Sequence, residues 1–401
     1  MHFFQFFTRT KFGAATRKQS RNSQMNCFGC GAPRRLRHNY PRPVTHLDVP
    51  GLPIDLDAPT EKVAQRTSGT PSRKSLSLVT ELPLEGLASV SLTGCDHAGV
   101  RTNQDAFAGD ACFGGDPERG LFCVFDGHGP NGHLVAADLA QGLPTVVAAQ
   151  LGTDDPVPVA KALRRAFLQQ NVSLLKSAVD CSLSGSTCVA VLLEPRESAA
   201  YLASVGDSRV VAALARADGG STASSRQPRP FGNLEAVEWT NDHTPERPDE
   251  EKRLIAAGAR VAPTGSAGGA AETEVHHGAV KRVWLPEKDT PGLAMSRSFG
   301  DAIGATVGVI AEPTVTKWQL TPDHRFAILA TDGVWEFISS QEAVDLVGRA
   351  LDAPRRTGHD AAYLLATEAS RRWEAHEGCA DDITVVLLLF DCERLASDIA
   401  C

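Results

Sequence analysis

Six short apolar runs, several of them bordered by an aspartate, constrain this chain most. They are Leu121–Phe125, Thr187–Leu193, Ala199–Val205, Val210–Leu214, Phe326–Ala330 and Ile383–Phe390. Rich in Val and Ile and short for helices, they read as buried strands. Only the Gly206-Asp-Ser-Arg209 turn separates the third run from the fourth. So tight a turn suits antiparallel hairpins better than crossover units. Helical patterns lie between the runs, at 132–151, 156–179, 246–257, 341–351 and 360–376, with Leu163, Phe167 and Leu174 on one helical face. Short strands combined with a few helices predict a layered α+β domain.

That domain is expected over residues 86–392, followed by a short tail, 393–401. Residues 1–85 are rich in Arg, Ser, Pro and Gly, show no sustained period, and read as a basic leader. An organelle transit peptide, an arm acylated near Cys27 and a disordered tail without an address all remain open for it. Nine Lys or Arg and no acid precede Asp48, so a chain of net charge -8 leaves -17 on residues 48–401. So acidic a body argues against sequence-independent nucleic-acid binding and suits a site of carboxylates and divalent cations. No apolar run approaches the roughly 20 residues of a membrane span, and no fixed-period repeat is visible. The ten cysteines, several inside apolar runs, read as free thiols of a reducing compartment. Cys27 and Cys30 form a lone CxxC, a weak zinc signal. The expected setting is intracellular, cytoplasmic first, with nuclear, membrane-associated and organellar addresses open. The default oligomeric state is a monomer.

The placement of the aspartates carries the chemistry. Asp126 follows Leu121–Phe125, Asp332 follows the run ending at Thr331, Asp207 closes the run through Gly206, and Asp382 precedes Ile383–Phe390. Neighbouring antiparallel strands set one strand's end beside the next one's start, so Asp126, Asp332 and Asp382 converge on one edge. Clustered carboxylates repel one another and need a cation to stay ionised. All-oxygen sets select hard cations such as Mg²⁺ or Mn²⁺, and two of them about 4 Å apart share and activate a water. In Asp126-Gly127-His128-Gly129, the glycine lets a backbone carbonyl approach an ion and the imidazole can protonate a leaving alkoxide. Arg101, four residues before Asp105, can take a phosphate bidentately.

At these residues the chain resembles the metal-dependent Ser/Thr protein phosphatases of type 2C. The matching motifs run in that family's order: Gly99-Val-Arg-Thr-Asn-Gln-Asp105, Val124-Phe-Asp-Gly-His-Gly129, Ser184-Gly-Ser-Thr187, Ser204-Val-Gly-Asp-Ser-Arg209, Asp242-His-Thr-Pro245, Leu293-Ala-Met-Ser-Arg-Ser-Phe-Gly-Asp301, Ala330-Thr-Asp-Gly-Val-Trp335 and Ala380-Asp-Asp-Ile-Thr384. They cover about residues 88–391, and the run 126–133 looks most like plant, algal or protist members. The resemblance implies a central sandwich of two antiparallel β-sheets flanked by helices, a four-layer α/β/β/α arrangement. It implies two Mg²⁺ or Mn²⁺ ions, bridged by Asp126 and completed by the Gly127 carbonyl, Asp332 and Asp381. Asp105 acts in the metal shell through water, and Asp207 helps hold a third, weaker ion. Arg101 holds the substrate phosphate and His128 is the general acid. The implied reaction is hydrolysis of phosphoserine and phosphothreonine in proteins by a metal-bridging hydroxide, without a phosphoenzyme. No Cys-x5-Arg nucleophile beside a Gly-rich loop argues for a covalent route.

The chain also departs from that pattern. Gln104 stands where many members have Glu, and Asp382 where Asn is common. The resemblance therefore moves the expected ligand at the start of the last strand from Asp382 to Asp381. Residues 242–285 correspond to a variable flap, in which Gly265–Ala271 is unusually small and flexible. Two alternatives stand beside an active protein phosphatase: an inactive member that binds phosphoproteins or a scaffold partner, and a hydrolase of another phosphoester.

Overall fold

The computed structural model describes residues 84–393 and 395 of the chain, except 97–98, 118, 153–157, 217–230 and 265–279. The expected leader up to Pro83, the Cys27–Cys30 pair, nearly all of the tail and the Gly265–Ala271 stretch lie outside the described residues.

The chain begins with β1 (Leu84–Leu92), a small hairpin of β2 (Cys95–Asp96) and β3 (Gly99–Val100), then β4 (Asp105–Asp110) and β5 (Gly120–His128). Helices α1 (Gly132–Leu151) and α2 (Val159–Leu174) lead to β6 (Gly185–Ser186), β7 (Cys188–Glu194), β8 (Ala199–Val205), β9 (Arg209–Ala215) and β10 (Leu234–Glu238). The flap region holds α3 (Pro248–Ala256) and the strands β11 (Arg260–Pro263), β12 (Lys281–Trp284) and β13 (Pro291–Leu293). After β14 (Phe299–Gly300) and α4 (Ala302–Ala305) come β15 (Thr314–Gln319), β16 (His324–Ala330), α5 (Asp332–Trp335), α6 (Ser340–Asp352), α7 (Gly358–Glu377) and β17 (Ile383–Phe390).

Two antiparallel sheets form the centre. One has the order β1-β17-β16-β9-β10; the other runs β14-β6-β5-β7-β8-β15, with β4 paired to β5. Strand side chains alternate between faces, and both faces of the central strands are covered. Leu121, Cys123 and Phe125 of β5 pack under α1 and α2. Phe122 and Val124 of the same strand meet Leu329, Val386 and Leu388 of the opposite sheet. Ile383, Val385 and Leu387 of β17 face α6 and α7. The layers are therefore α/β/β/α, as expected. Burial on both faces is why these strands are continuous apolar runs rather than alternating ones.

The strands that sequence reading missed are mostly edges. β1, β4, β10 and β15 each have a solvated face, so polar residues interrupt their patterns. β1 also starts at Leu84, ahead of the expected boundary at 86. Edge β10 is closed by Gln341, whose Oε1 accepts from Ala236 N–H and whose Nε2 donates to Leu234 O. That occupies groups another strand would otherwise pair with.

Helix α2 is shorter than the expected 156–179 segment. Beyond Leu174 the chain unwinds so that the Asp180 carbonyl and the Ser184 hydroxyl can accept from Asn131, at the start of α1. α1 spans 20 residues, and an 18-residue stretch of it has a mean hydropathy of 1.3, apolar and long enough on those criteria to cross a bilayer. Here Val135, Leu139, Leu143 and Val147 lie fully buried in the core against β5. α7 opens on a capping box of Thr357 and Asp360 and closes at Gly378, whose φ of 79° reverses the chain into the 379–382 turn.

Leu388 is fully buried between the sheets, whereas Leu87 on the edge is 48% exposed. Leu388→Ala is expected to cost about 2–5 kcal/mol in urea unfolding. Leu87→Ala should change stability by less than about 0.5 kcal/mol.

Candidate active site

The two sheets bring one set of chain ends together. β5 ends on Asp126, Gly127 and His128. β9 begins at Arg209, two residues after Asp207. β16 ends just before Asp332, and β17 starts just after Asp381 and Asp382. The pairing of Ala330 with both Val385 and Arg209 places these ends at one end of the sandwich. Asp105, first residue of β4, is the direct cross-strand partner of Asp126. Directly opposed like charges are destabilising on a sheet, so this pair needs something positive beside it.

The backbone around Asp126 is held on both sides. Its N–H donates to Thr187 Oγ1 at 3.1 Å, and its carbonyl accepts from Thr187 N–H at 2.9 Å. Thr187 Oγ1 also shares a 2.7 Å bond with Ser208 Oγ. At the next residue a Cβ would stand 2.3 Å from Gly132 O and 2.6 Å from Gln104 O, so Gly127 is sterically required. Thr331 Oγ1 donates to Asp105 Oδ2 at 3.0 Å and accepts from Thr384 N–H at 3.0 Å, fixing Asp105 to the β16–β17 side.

Asp105, Asp126, Asp207 and Asp332 form one electrostatic group. Burial first, then the Asp382 and Asp332 charges, push the Asp105 carboxyl up to about 8, against lowering hydrogen bonds from Thr384 and Thr331. Burial, reinforced by Asp332, Asp105 and Asp207, holds Asp126 well above the ordinary carboxylate range. Burial and the Asp332 and Asp242 charges push Asp207 up to about 8. One oxygen each of Asp105, Asp207 and Asp332 is buried with no hydrogen-bond partner. Buried acceptors without donors, in carboxyls that resist ionising together, fit a hard cation. Among the described residues no three His, Cys, Asp or Glu side chains are closed into a ready metal cradle. The carboxylates thus have the chemistry of a cation site without a closed protein coordination shell.

Arg101 and Asp381 meet beside this group as an ion pair. Asp382, read first from the strand ends as a ligand, is committed elsewhere. It is buried, and its oxygens accept from Gly94 N–H at 2.7 Å and Gln104 N–H at 3.0 Å. Asp381, the residue to which the resemblance moved the expected ligand, keeps a partly exposed carboxylate. Gln104 donates from Nε2 to Gly129 O at 2.8 Å, a bond Glu could not make. The departure at 104 therefore braces the loop around His128.

His128 has a partner that sequence reasoning missed as a site residue. Its Nε2 lies 2.6 Å from Oδ2 of the fully buried Asp301, which also accepts from Ser298 Oγ. Burial works against an imidazolium here, but the Asp301 charge and hydrogen bond outweigh it and raise the His128 pKa. The signal was present at the end of the Leu293–Asp301 motif, but only the fold brings residue 301 to residue 128. A second missed pair is Arg209 and Asp242, joined at 3.0 and 2.6 Å with the guanidinium over the Trp335 ring. The flap helix α3 is anchored by buried Glu250, which accepts from Arg253, Arg297 and Ser296 at 2.5 to 2.7 Å.

Raised carboxyl pKa values make cation-free stability depend on pH. Between the ordinary carboxylate pKa and about 8, the native state binds more protons than the unfolded state, so stability falls as pH rises. With EDTA, the melting temperature is expected to drop from pH 5 to pH 8, and less so in Asp105→Asn and Asp207→Asn. Mg²⁺ or Mn²⁺ should raise it more at pH 8 than at pH 5, because a bound cation stabilises the ionised form.

The family model described as Protein phosphatase 2C matches residues 92–382. "Probable protein phosphatase 2C 64" of Oryza sativa subsp. japonica is 38% identical over 296 residues, covering 72% of this chain and 62% of that protein. "Probable protein phosphatase 2C 35" of Arabidopsis thaliana is 34% identical over 299 residues, covering 72% and 78%. This chain thus spans less than two thirds of the length of the rice relative. The crystal structure of serine-threonine phosphatase 2C from Toxoplasma gondii superposes with a TM-score of 0.60 at 21% identity, over 78% of this chain and 98% of that one, a likeness of fold. By these matches, spread over the sheets that carry the carboxylate group, the chain belongs to the protein phosphatase 2C family.

Proposed function

We propose that this chain hydrolyses phosphoserine and phosphothreonine in proteins, using two Mg²⁺ or Mn²⁺ ions held at the open end of the sandwich and a third, weaker site at Asp207. The observation that carries this reading is the group of four carboxylates, three of them with a buried oxygen that has no hydrogen-bond partner, flanked by an arginine on one side and a carboxylate-paired histidine on the other. Asp126, Asp332 and Asp381 with the Gly127 carbonyl are the residues that would hold the pair of ions, with Asp105 acting through water. Bound there, the cations let the carboxylates ionise and supply the Lewis acid that activates water.

The chain's own groups do the rest. Arg101 lies beside Asp381 with its side chain partly exposed. It orients a phosphoryl group and offsets its charge. His128 donates from its imidazolium to the departing serine or threonine oxygen, which as a free alkoxide is a poor leaving group. Asp301 favours that imidazolium and fixes the ring. Thr187, Thr331 and Gln104 hold the backbone and carboxylates in place, so the groups are set before substrate arrives.

The test is phosphate release from a phosphothreonine peptide by the full chain with Mn²⁺, with Mg²⁺ and with EDTA. Turnover is expected with either metal, none with EDTA, and a loss of at least about 100-fold in Asp126→Asn and Asp332→Asn. His128→Ala should lose about 10²-fold on the peptide, and much less on p-nitrophenyl phosphate, whose leaving group needs no proton. Metal-independent binding of the peptide without phosphate release would instead make the chain a phosphoprotein-binding member of its family.

A further inference from the structure

The proposed reaction gives Asp382 no role, yet it is among the most committed side chains at the site. Its Oδ1 accepts from Gly94 N–H at 2.7 Å and its Oδ2 from Gln104 N–H at 3.0 Å. Gly94 and Gln104 are the two ends of one loop, and Arg101 lies within it. The Arg101 Nη2 stands 3.2 Å from the same Oδ2. One buried carboxylate therefore closes the loop at both ends and touches its arginine in the middle. The approach is close. A Cβ on Gly94 would stand 2.5 Å from the Asp381 carbonyl carbon, and Cys95 N–H donates to Ala380 O at 2.9 Å.

The donor set explains why an aspartate stands here. Two backbone amides donate and a guanidinium stands 3.2 Å away, and a charged, acceptor-only carboxylate suits all three. An asparagine offers one oxygen and turns an NH2 toward a donor. Beyond Gln104 the tie continues, because its carbonyl accepts from Gly127 N–H at 3.1 Å and its side chain donates to Gly129 O.

We propose that Asp382 is a positioning residue, a clamp that closes the 94–104 loop and holds Arg101 at Nη2 so that the guanidinium is set before it meets the substrate phosphate. This rests on the reading of Arg101 as the phosphate-binding arginine. A guanidinium already held at one nitrogen loses less rotational freedom on binding an anion. Loss of the clamp therefore weakens substrate binding without removing any group that reacts.

Two measurements on the full chain test it. Hydrogen exchange read by mass spectrometry follows the amides of residues 94–105 in the unsubstituted protein and in Asp382→Asn, and does not depend on turnover. Steady-state kinetics on the phosphothreonine peptide compare wild type, Asp382→Asn, Arg101→Ala and the double variant. The clamp predicts faster exchange confined to the loop, a KM raised about tenfold with kcat changed by less than about twofold, and no further rise in KM when Asp382→Asn is added to Arg101→Ala. Unchanged loop exchange overturns the proposal. So does a KM shift of equal size with and without Arg101, since Asp382 would then act on the site in general. A wild-type chain that turns nothing over counts against the proposed function, while the exchange data still decide whether Asp382 holds the loop.

Discussion

Mutual repulsion among buried carboxylates at one end of the sandwich organises the rest of the site. Asp105 faces Asp126 directly across β4 and β5, and Asp332 and Asp207 add charge from the second sheet and its neighbouring turn. A chain does not keep such a group buried for its own stability, because each ionised oxygen without a donor is costly. The arrangement is stable only where something positive completes it, and the proposed divalent cations are that complement.

The surrounding structure holds these groups still rather than neutralising them. Thr187, just ahead of β7, grips the Asp126 backbone, and Ser208 in the turn before β9 braces Thr187. Thr331 spans from Asp105 to β17. Positive side chains stay at the margin. Arg101 pairs with Asp381 and Asp382, Arg209 with Asp242, and Arg297 with the flap's Glu250. None of these ion pairs takes up the open oxygens of Asp105, Asp207 or Asp332.

Much of this was legible in advance because the fold buries its central strands on both faces. Continuous apolar runs such as Ile383–Phe390 stand out against any background, and the aspartates at their ends mark where the sheets open. Edge strands such as β10 and β15 did not stand out, because half of their side chains face water. Gln104 and Asp382 were visible as departures, but their partners were not. Gln104 serves as a donor to Gly129, and Asp382 as an acceptor for the backbone.

By itself the sequence determined which strands form the core, that they pair antiparallel, and that aspartates sit at their ends. Those properties follow from local pattern, since burial and turn length act over a few residues. Only the tertiary structure decided the partnerships: His128 with Asp301, Thr331 with Asp105, and Asp382 with the two ends of the Arg101 loop. Residues 128 and 301 lie 173 positions apart, and residues 94 and 382 lie 288 apart. Contacts over such separations arise from how two sheets stack, a relation that the spacing of residues along the chain does not encode.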